Sequence, residues 1–483
     1  MQILPSGRGP AAPGSAGLAL EPFRGVRYAQ EKVAGLAEVT SPPYDVIAHD
    51  TADKLLAADP HNVVRLILPR QDPGRPGGPY GEAARLMREW KNQGILLPDP
   101  QSALYVYEQR VEQQHADGEP AEDAQGASPP GRPGGGRVVQ RGLIGALRLA
   151  PPGSRIVLPH EEVMPGPVAG RRQLMEATQA NLEPIFLLYD GADAGAASGH
   201  AGPSGSAGPS GSATTRIADE VAMTRPPLLS AETGDGTRHS LWAVTDPAEH
   251  AAVAADLAPR QALIADGNHR YAAYLEMQAH RRDAGDAPSP WDFGLALLVD
   301  SAAYPPRIGA IHRVLPGLDP SDAVHRAKGA FTVRMLPGGL AALPAALATL
   351  AAAEQHGVAF LIAGSGEIHL LTDPDPVQVA AAMPAGRSAR WRALPTSVLQ
   401  ELLLTRVWGI TDDERGVRVV HDDAARAIAE ADEAPRGTAV ICTPLSPADV
   451  YAVAAQGERL PRKSTSFAPK PRTGLVMRTL NGD

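Results

Sequence analysis

Near the middle of the chain, the run ALIADGNHRYAAYLEMQAH constrains the fold more than any other stretch. Ala262, Leu263, Ile264 and Ala265 form an apolar, strand-like segment that meets Asp266-Gly267, a dipeptide suited to tight turns. The chain then enters an amphipathic helix beginning near Asn268, His269 and Arg270, with no spacer. A strand, turn and helix in immediate succession aim the unpaired N–H groups of the first helical turn at one point beyond the strand. The helix dipole favours negative charge there. Arginine adds a planar fork of donors matched to phosphate oxygens, and histidine exchanges a proton near neutrality. The corner therefore predicts phosphate binding through Gly267, Asn268 and Arg270. Asp266 is open to three roles there: helix cap, ligand for a divalent cation, or general base.

Composition sets the wider frame. With 483 residues the chain exceeds one ordinary core, so two or three packed units are expected. The net charge of −9 argues against general nucleic-acid binding, which rests on Lys and Arg neutralising phosphates. DNA is therefore not the expected partner. One cysteine, Cys442, excludes an internal disulfide framework and a cysteine-rich zinc site. In the run TAVICTP it reads as a small buried hydrophobe. No stretch approaches the apolar length of a membrane span, and the N-terminus lacks a basic start followed by an apolar core. The expected location is the cytoplasm, and nothing specifies an oligomeric state.

Three stretches poor in apolar residues punctuate the chain: 1–19, 115–138, and 191–214 with its tandem AGPSGS repeat from Ala201. They are expected to be a disordered tail, a flexible insertion and a low-complexity loop. They divide the chain into an N-terminal α/β domain (20–190), a central domain with the DGNHR corner (215–335) and a C-terminal α/β domain with a basic tail (336–483). ALYVYEQRV and RGLIGALRL flank the second stretch and predict a hairpin-like pair. IFLLYD, SLWAVTD, DFGLALLVD, GVRVVHD and GTAVICTP read as further strands, and HNVVRLIL as an apolar strand carrying Arg65. GEAARLMREWKNQGIL, GRRQLMEATQANLEP, the Ala/Leu-rich 339–355 and SVLQELLLTRVWGI read as helices, the last with Ser397 and Gln400 as a capping box. The fold class expected is mixed α/β.

Three further segments carry candidate chemistry. In LPHEEVMPGP, His160 and Glu161 sit between a strand and a helix, flanked by prolines, as a possible base and its orienting partner. No second histidine follows at HExxH spacing, so zinc is not inferred. In TSPPYDVI, Pro42-Pro43 stiffens the backbone and projects Tyr44 and Asp45, which with Arg65 are candidates for holding a substrate. In LPRKSTSFAPKP, Arg462, Lys463 and Lys470 with Ser464 and Thr465 offer contacts to phosphate or carboxylate. The upstream glycines of a P-loop are missing.

Taken in order, PFRGVRYAQEKV, TSPPYDVI, HNVVRLIL, LPHEEVMPGP, QANLEPIF, LIADGNHRYAAYL and LPRKSTSFAPKPRTGLV resemble the bacterial family catalogued as domain of unknown function 1015. The resemblance runs from about Glu21 to Met477. The family's central motif usually reads DGHHR, so Asn268 is a departure, as are Glu162 and Val163 beside His160. DGHHR-type turns also resemble those of the ParB/sulfiredoxin superfamily, which includes free-serine kinases and nucleotide-dependent partitioning proteins. That resemblance implies a strand-turn-helix core embedded in a larger mixed-sheet fold, with His269 and Arg270 contacting nucleotide phosphates. It implies ATP or ADP with Mg²⁺ as cofactors, Asp266 as metal ligand or base, and transfer of a phosphoryl group to a small molecule such as free serine. Catalysis would fall to Asp266, His269, Glu161 and His160. A nucleotide-sensing or DNA-associated binding protein without turnover, and a phosphoester hydrolase, are the alternatives.

Overall fold

The computed structural model describes residues 17–47, 49–70, 77–112, 136–151, 153–192, 211–283, 289–413, 416–434 and 436–481. Most of the three punctuating stretches lies outside these. Their described ends are ordered: Leu18 is buried, residues 136–138 belong to a strand, and Ser212 caps a helix through a bond from Thr215 N.

Among the described residues, nine strands form one large mixed sheet. In chain order they are β1 (Leu20–Glu21), β2 (Leu104–Glu112), β3 (Gly136–Arg148), β4 (Val157–Leu158), β5 (Ile185–Tyr189), β6 (Leu229–Glu232), β7 (Thr237–Val244), β8 (Ala262–Asp266) and β9 (Phe293–Asp300). Their spatial order is β4-β8-β5-β9-β3-β2-β7-β6, with β1 on β3. The expected hairpin forms, β2 pairing antiparallel with β3. Strands from both sides of 191–214 interleave, so segments 20–190 and 215–335 share this one sheet.

Both faces of the inner strands β5, β8 and β9 are buried, which explains why they read as continuous apolar runs. Along β8, Ala262 and Ile264 enter one core with Leu187 and Leu298, while Leu263 and Ala265 enter another with Phe186 and Leu297. Helices α1 (Gly78–Asn92), α2 (Pro165–Thr178) and α3 (Asn268–Asp283) follow the expected apolar spacing, α2 packing against both others. A second, six-stranded sheet is formed by β10 (Ile311–Leu315), β11 (Thr332–Leu336), β12 (Phe360–Gly364), β13 (Glu367–Thr372), β14 (Arg418–His421) and β15 (Thr438–Ile441). Its order is β11-β13-β12-β15-β10-β14. Cys442 follows β15, and burial pushes its thiol up to about 12, in keeping with a packing role.

Two local expectations fail for identifiable reasons. HNVVRLIL is not a strand: Val64–Ile67 is a helical turn, started by Asn62, whose Oδ1 accepts from Val64 N at 2.9 Å. Complete burial of Val64, Leu66 and Ile67 hides the helical period, because apolarity on every side mimics a core strand. The capping box at Ser397 and Gln400 is also absent. Pro395 opens the helix two residues earlier, leaving Ser397 already helical, and Val398–Trp408 continues as a π-helix.

The segment after Gly457, expected to be a basic tail, is a strap that pairs with several elements far apart in sequence. Leu460 bridges Glu161; Ser466–Ala468 pairs with Arg307–Gly309; Thr473 bridges Ser41; Met477–Thr479 inserts between Gly25–Tyr28 and Ala180–Asn181. No described helix is long and apolar enough to cross a membrane.

Leu297 on β9 is fully buried in the core beneath this sheet. Leu297→Ala should cost about 2–5 kcal/mol. Urea unfolding should show a lowered midpoint with an unchanged slope.

Candidate functional site

At the C-terminal end of β8 the strand register against β5 shifts between Ile264 and Asp266, freeing the chain to turn. Gly267 has φ +96°, and a Cβ there would sit 2.8 Å from Ile185 Cγ2. Only glycine meets both demands. Tyr271 N then bonds Gly267 O at 2.9 Å, and α3 begins.

Around this corner the structure brings together all four segments singled out from the sequence. One cleft is lined by Tyr44 and Asp45, by Glu161 and Glu162, by residues 265–270, and by Lys463, Thr465, Phe467 and Lys470, with His421. The strap closes it. Lys470 reaches in and its Nζ donates to Asp45 Oδ2 at 2.7 Å and to Asp266 Oδ1 at 2.5 Å. Arg270 Nη2 takes the other oxygen of Asp266, and its Nη1 donates to Pro184 O at 2.7 Å. Of these four charged groups, Lys470, Asp266 and Arg270 are largely buried. Burial opposes the charge on Asp45, but Lys470 and Arg270 outweigh it and hold the carboxyl below its ordinary range.

This arrangement redistributes the roles expected from sequence. Arg270 is 3% exposed; two of its nitrogens are engaged by protein and order Asp266, while its Nε, also buried, has no partner. Asp266 has a cation on each oxygen, which leaves it neither an open metal ligand nor a free base. Among the described residues no cluster of three or more His, Cys, Asp or Glu could hold a metal ion. In this structure Lys470 supplies the positive charge beside Asp266.

His160 lies beneath the cleft, 1% exposed. Its Nδ1 donates to Ile264 O at 2.5 Å, which leaves Nε2 to accept from Thr465 Oγ1 at 2.6 Å. Burial lowers its pKa to about 4, so the ring is neutral and ties the strap to β8. His269 Nε2 accepts from Met164 N at 3.1 Å, so a neutral His269 carries its proton on Nδ1. Glu161 Oε1 accepts from Lys463 N, its other oxygen makes no hydrogen bond among the described residues, and burial raises its pKa. Lys463 has a left-handed φ of +53°, an uncommon conformation for a residue with a side chain, and makes no ion pair among the described residues. Asn268 Oδ1 and Asp45 Oδ1 are buried without partners.

Other candidates are engaged elsewhere. Arg65 Nη2 donates to Leu56 O at 2.6 Å, outside the cleft lining. Ser464 Oγ donates to Pro461 O at 2.6 Å, within the strap's own turn. Arg462 pairs with Asp412 at 3.1 Å. Sequence reasoning missed Glu183, a buried carboxylate that accepts from Tyr44 N at 3.0 Å, and Arg171, which stacks 4.2 Å over the Tyr44 ring. It also missed His421 and Phe467. A lone acid in the apolar run NLEPIF was the available signal for Glu183, since such a charge needs a partner.

A model of the family described as "Protein of unknown function (DUF1015)" matches residues 20–119, 132–201 and 206–397. No curated protein matches the chain. Among solved structures, a mutant free serine kinase in complex with ADP is similar at 12% identity, covering 65% of this chain and 84% of that one, with a TM-score of 0.32. SbnI with C-terminal truncation from Staphylococcus aureus is similar at 9% identity, covering 70% and 90%, with a TM-score of 0.33. A conserved hypothetical protein from Pyrococcus furiosus is similar at 11% identity, covering 65% and 88%, with a TM-score of 0.32.

Lys470→Met should destabilise the protein by about 3–5 kcal/mol, because it removes the cation paired with Asp45 and one of the two paired with Asp266; thermal and urea unfolding would report it. Acid should act through the histidines. His160, His239, His312 and His421 are each pulled to about 4, with burial the largest cause. Unfolded histidine titrates near 6.5, so between these values the unfolded chain binds more protons. Their contribution is fully present above about pH 6.5 and is lost as pH falls toward 4. Urea midpoints measured at pH 7.5, 6.5, 5.5 and 4.5 should fall steadily below 6.5.

Proposed function

The chain belongs to the DUF1015 family, and on that footing we propose that its cleft binds a small phosphate-bearing ligand, a nucleotide such as ATP or ADP, and transfers a phosphoryl group to the hydroxyl of a small molecule. The observation that carries this reading is Lys463. Lys463 lines the cleft together with residues 265–270, makes no ion pair among the described residues, and has a left-handed backbone whose N–H donates to Glu161. Conformations of that kind are sustained only where surrounding structure imposes them, and they concentrate at working sites. The amides of residues 268–270 and the Nδ1–H of His269 add donors for an anion at the same place.

Each residue then has a role its geometry allows. Lys463 and the helix N-terminus hold the phosphate. Glu161, a carboxylate raised by burial and with one oxygen unengaged, takes the proton of the acceptor hydroxyl as that oxygen bonds to phosphorus and the bond to the leaving phosphate oxygen breaks. Lys470, Asp45, Asp266 and Arg270 are the rigid frame against which these groups are aimed. His160 positions Thr465 on the cleft wall. Such a site works by placement and charge stabilisation. The nucleotide in this reading is supported by the resemblance of the DGNHR corner to the ParB/sulfiredoxin turn. Asn268 supplies an amide where the usual motif has a second imidazole, which keeps hydrogen bonding and removes proton exchange at that position. Free serine remains one acceptor to include in a screen.

Two variants separate binding from chemistry. Lys463→Ala should weaken ADP binding about 10-fold to 100-fold by calorimetry, the worth of one charge-assisted contact. Glu161→Gln keeps an oxygen for Lys463 N, so it should bind ADP as the parent protein does while transfer of labelled phosphate from ATP to an amino-acid pool drops about 10²- to 10⁴-fold. Unchanged ADP affinity in Lys463→Ala would remove the basis of the proposal.

A further inference from the structure

A second cleft is lined in part by the strap. It shares Phe467 and Lys470 with the first, and its apolar wall includes Pro43, Val46, Val111 and Val139. Two polar side chains at its floor, Gln109 and His239, are 2% and 6% exposed.

Their hydrogen-bond roles follow from the neighbours. Gln109 Nε2 donates to Lys470 O at 2.7 Å; a carbonyl accepts only, so the amide orientation is determined. The same Nε2 donates to Tyr107 Oη at 2.7 Å, and Arg472 N donates to that oxygen at 3.0 Å. With both acceptor positions of the phenol filled, its proton goes to His239 Nδ1, 2.9 Å away. His239 is neutral, its pKa pulled to about 4 by burial and Arg472, so its remaining proton is on Nε2. Gln109 Oε1 has no partner, and His239 Nε2 makes no hydrogen bond among the described residues. The cleft thus offers a donor, His239 Nε2–H, and a buried acceptor without a partner, Gln109 Oε1, among apolar side chains and the polar Asp235, Thr237, Ser466 and Arg472. Buried polar atoms left unmatched are costly, and a ligand that pairs them is favoured over one that does not.

We infer that this second cleft receives the nucleobase of the ligand whose phosphate occupies the first, the ring edge accepting from His239 Nε2–H and donating to Gln109 Oε1. The inference rests on the phosphate-binding reading above. A base edge carries an adjacent acceptor and donor, and its planar faces suit walls of proline, valine and phenylalanine. Lys470 and Phe467, on the strap, are common to both clefts.

Titrating the full chain with ribose 5-phosphate and with AMP, GMP, CMP and UMP tests this. At least one nucleotide should bind tenfold or more tightly than ribose 5-phosphate. His239→Ala should weaken that nucleotide about tenfold and leave ribose 5-phosphate unchanged. Val111→Trp, at a position 39% exposed and tolerant of a larger side chain, should do the same by filling the cleft. Equal binding of all five compounds, or variants that bind the nucleotide as the parent does, overturns the base site and leaves the phosphate site standing. If none of the five binds, the phosphate site fails and this inference falls with it.

Discussion

One ammonium group holds the candidate site together. Lys470 Nζ sits between Asp45, 425 residues away in sequence, and Asp266, 204 residues away. Taking such charges out of water is expensive, and the cost is offset only when each has a well-placed partner. Here the pairing extends through Asp266 to Arg270 and toward Glu183, so the cluster is stable only as a whole. Because Lys470 is on the strap, the cluster also determines where the strap runs. It thereby places Lys463, Thr465 and Phe467 on the cleft wall. Gln109 and Gln140, on neighbouring strands, anchor the same stretch by donating to the carbonyls of Lys470 and Pro469.

The arrangement separates the charges that build the site from those available to a ligand. Lys470 is paired with two protein carboxylates, and Arg270 with Asp266 and the Pro184 carbonyl, although its buried Nε has no partner. Lys463, Glu161 and the first turn of α3 retain capacity. A ligand would therefore meet a frame already neutralised and rigid, with a few directed groups. That is the condition under which electrostatic contacts act without reorganisation. Neutral His160 has both ring nitrogens committed, to Ile264 O and Thr465 Oγ1, whereas His239 has one, which settles what its other nitrogen can do.

How far the sequence could be read depends on how local the governing interaction is. The strand-turn-helix at 262–283 and the β2–β3 hairpin were legible, because apolar period and glycine placement act over a few residues. Val64–Ile67 was not, because its helical start depends on one asparagine side chain and its apolarity gives no period. The family resemblance brought the four segments into one list, which their separate chemistry could not. It also implied that Arg270 meets phosphate. That expectation failed to anticipate that Asp266, four residues earlier, would claim the guanidinium once both were buried.

The sequence by itself determined the elements, the mixed α/β class, and which residues were chemically able to work: a turn that only glycine allows, a helix that must leave amides unpaired, and a set of acids and bases beside it. Those follow from dihedral limits and side-chain chemistry, which act locally. Tertiary structure decided which of those residues are spent and which are available. That division depends on burial and on partners hundreds of residues apart. A buried charge cannot choose its partner until folding has removed water from both, so Lys470 became the centre of the frame and Lys463 its open cation.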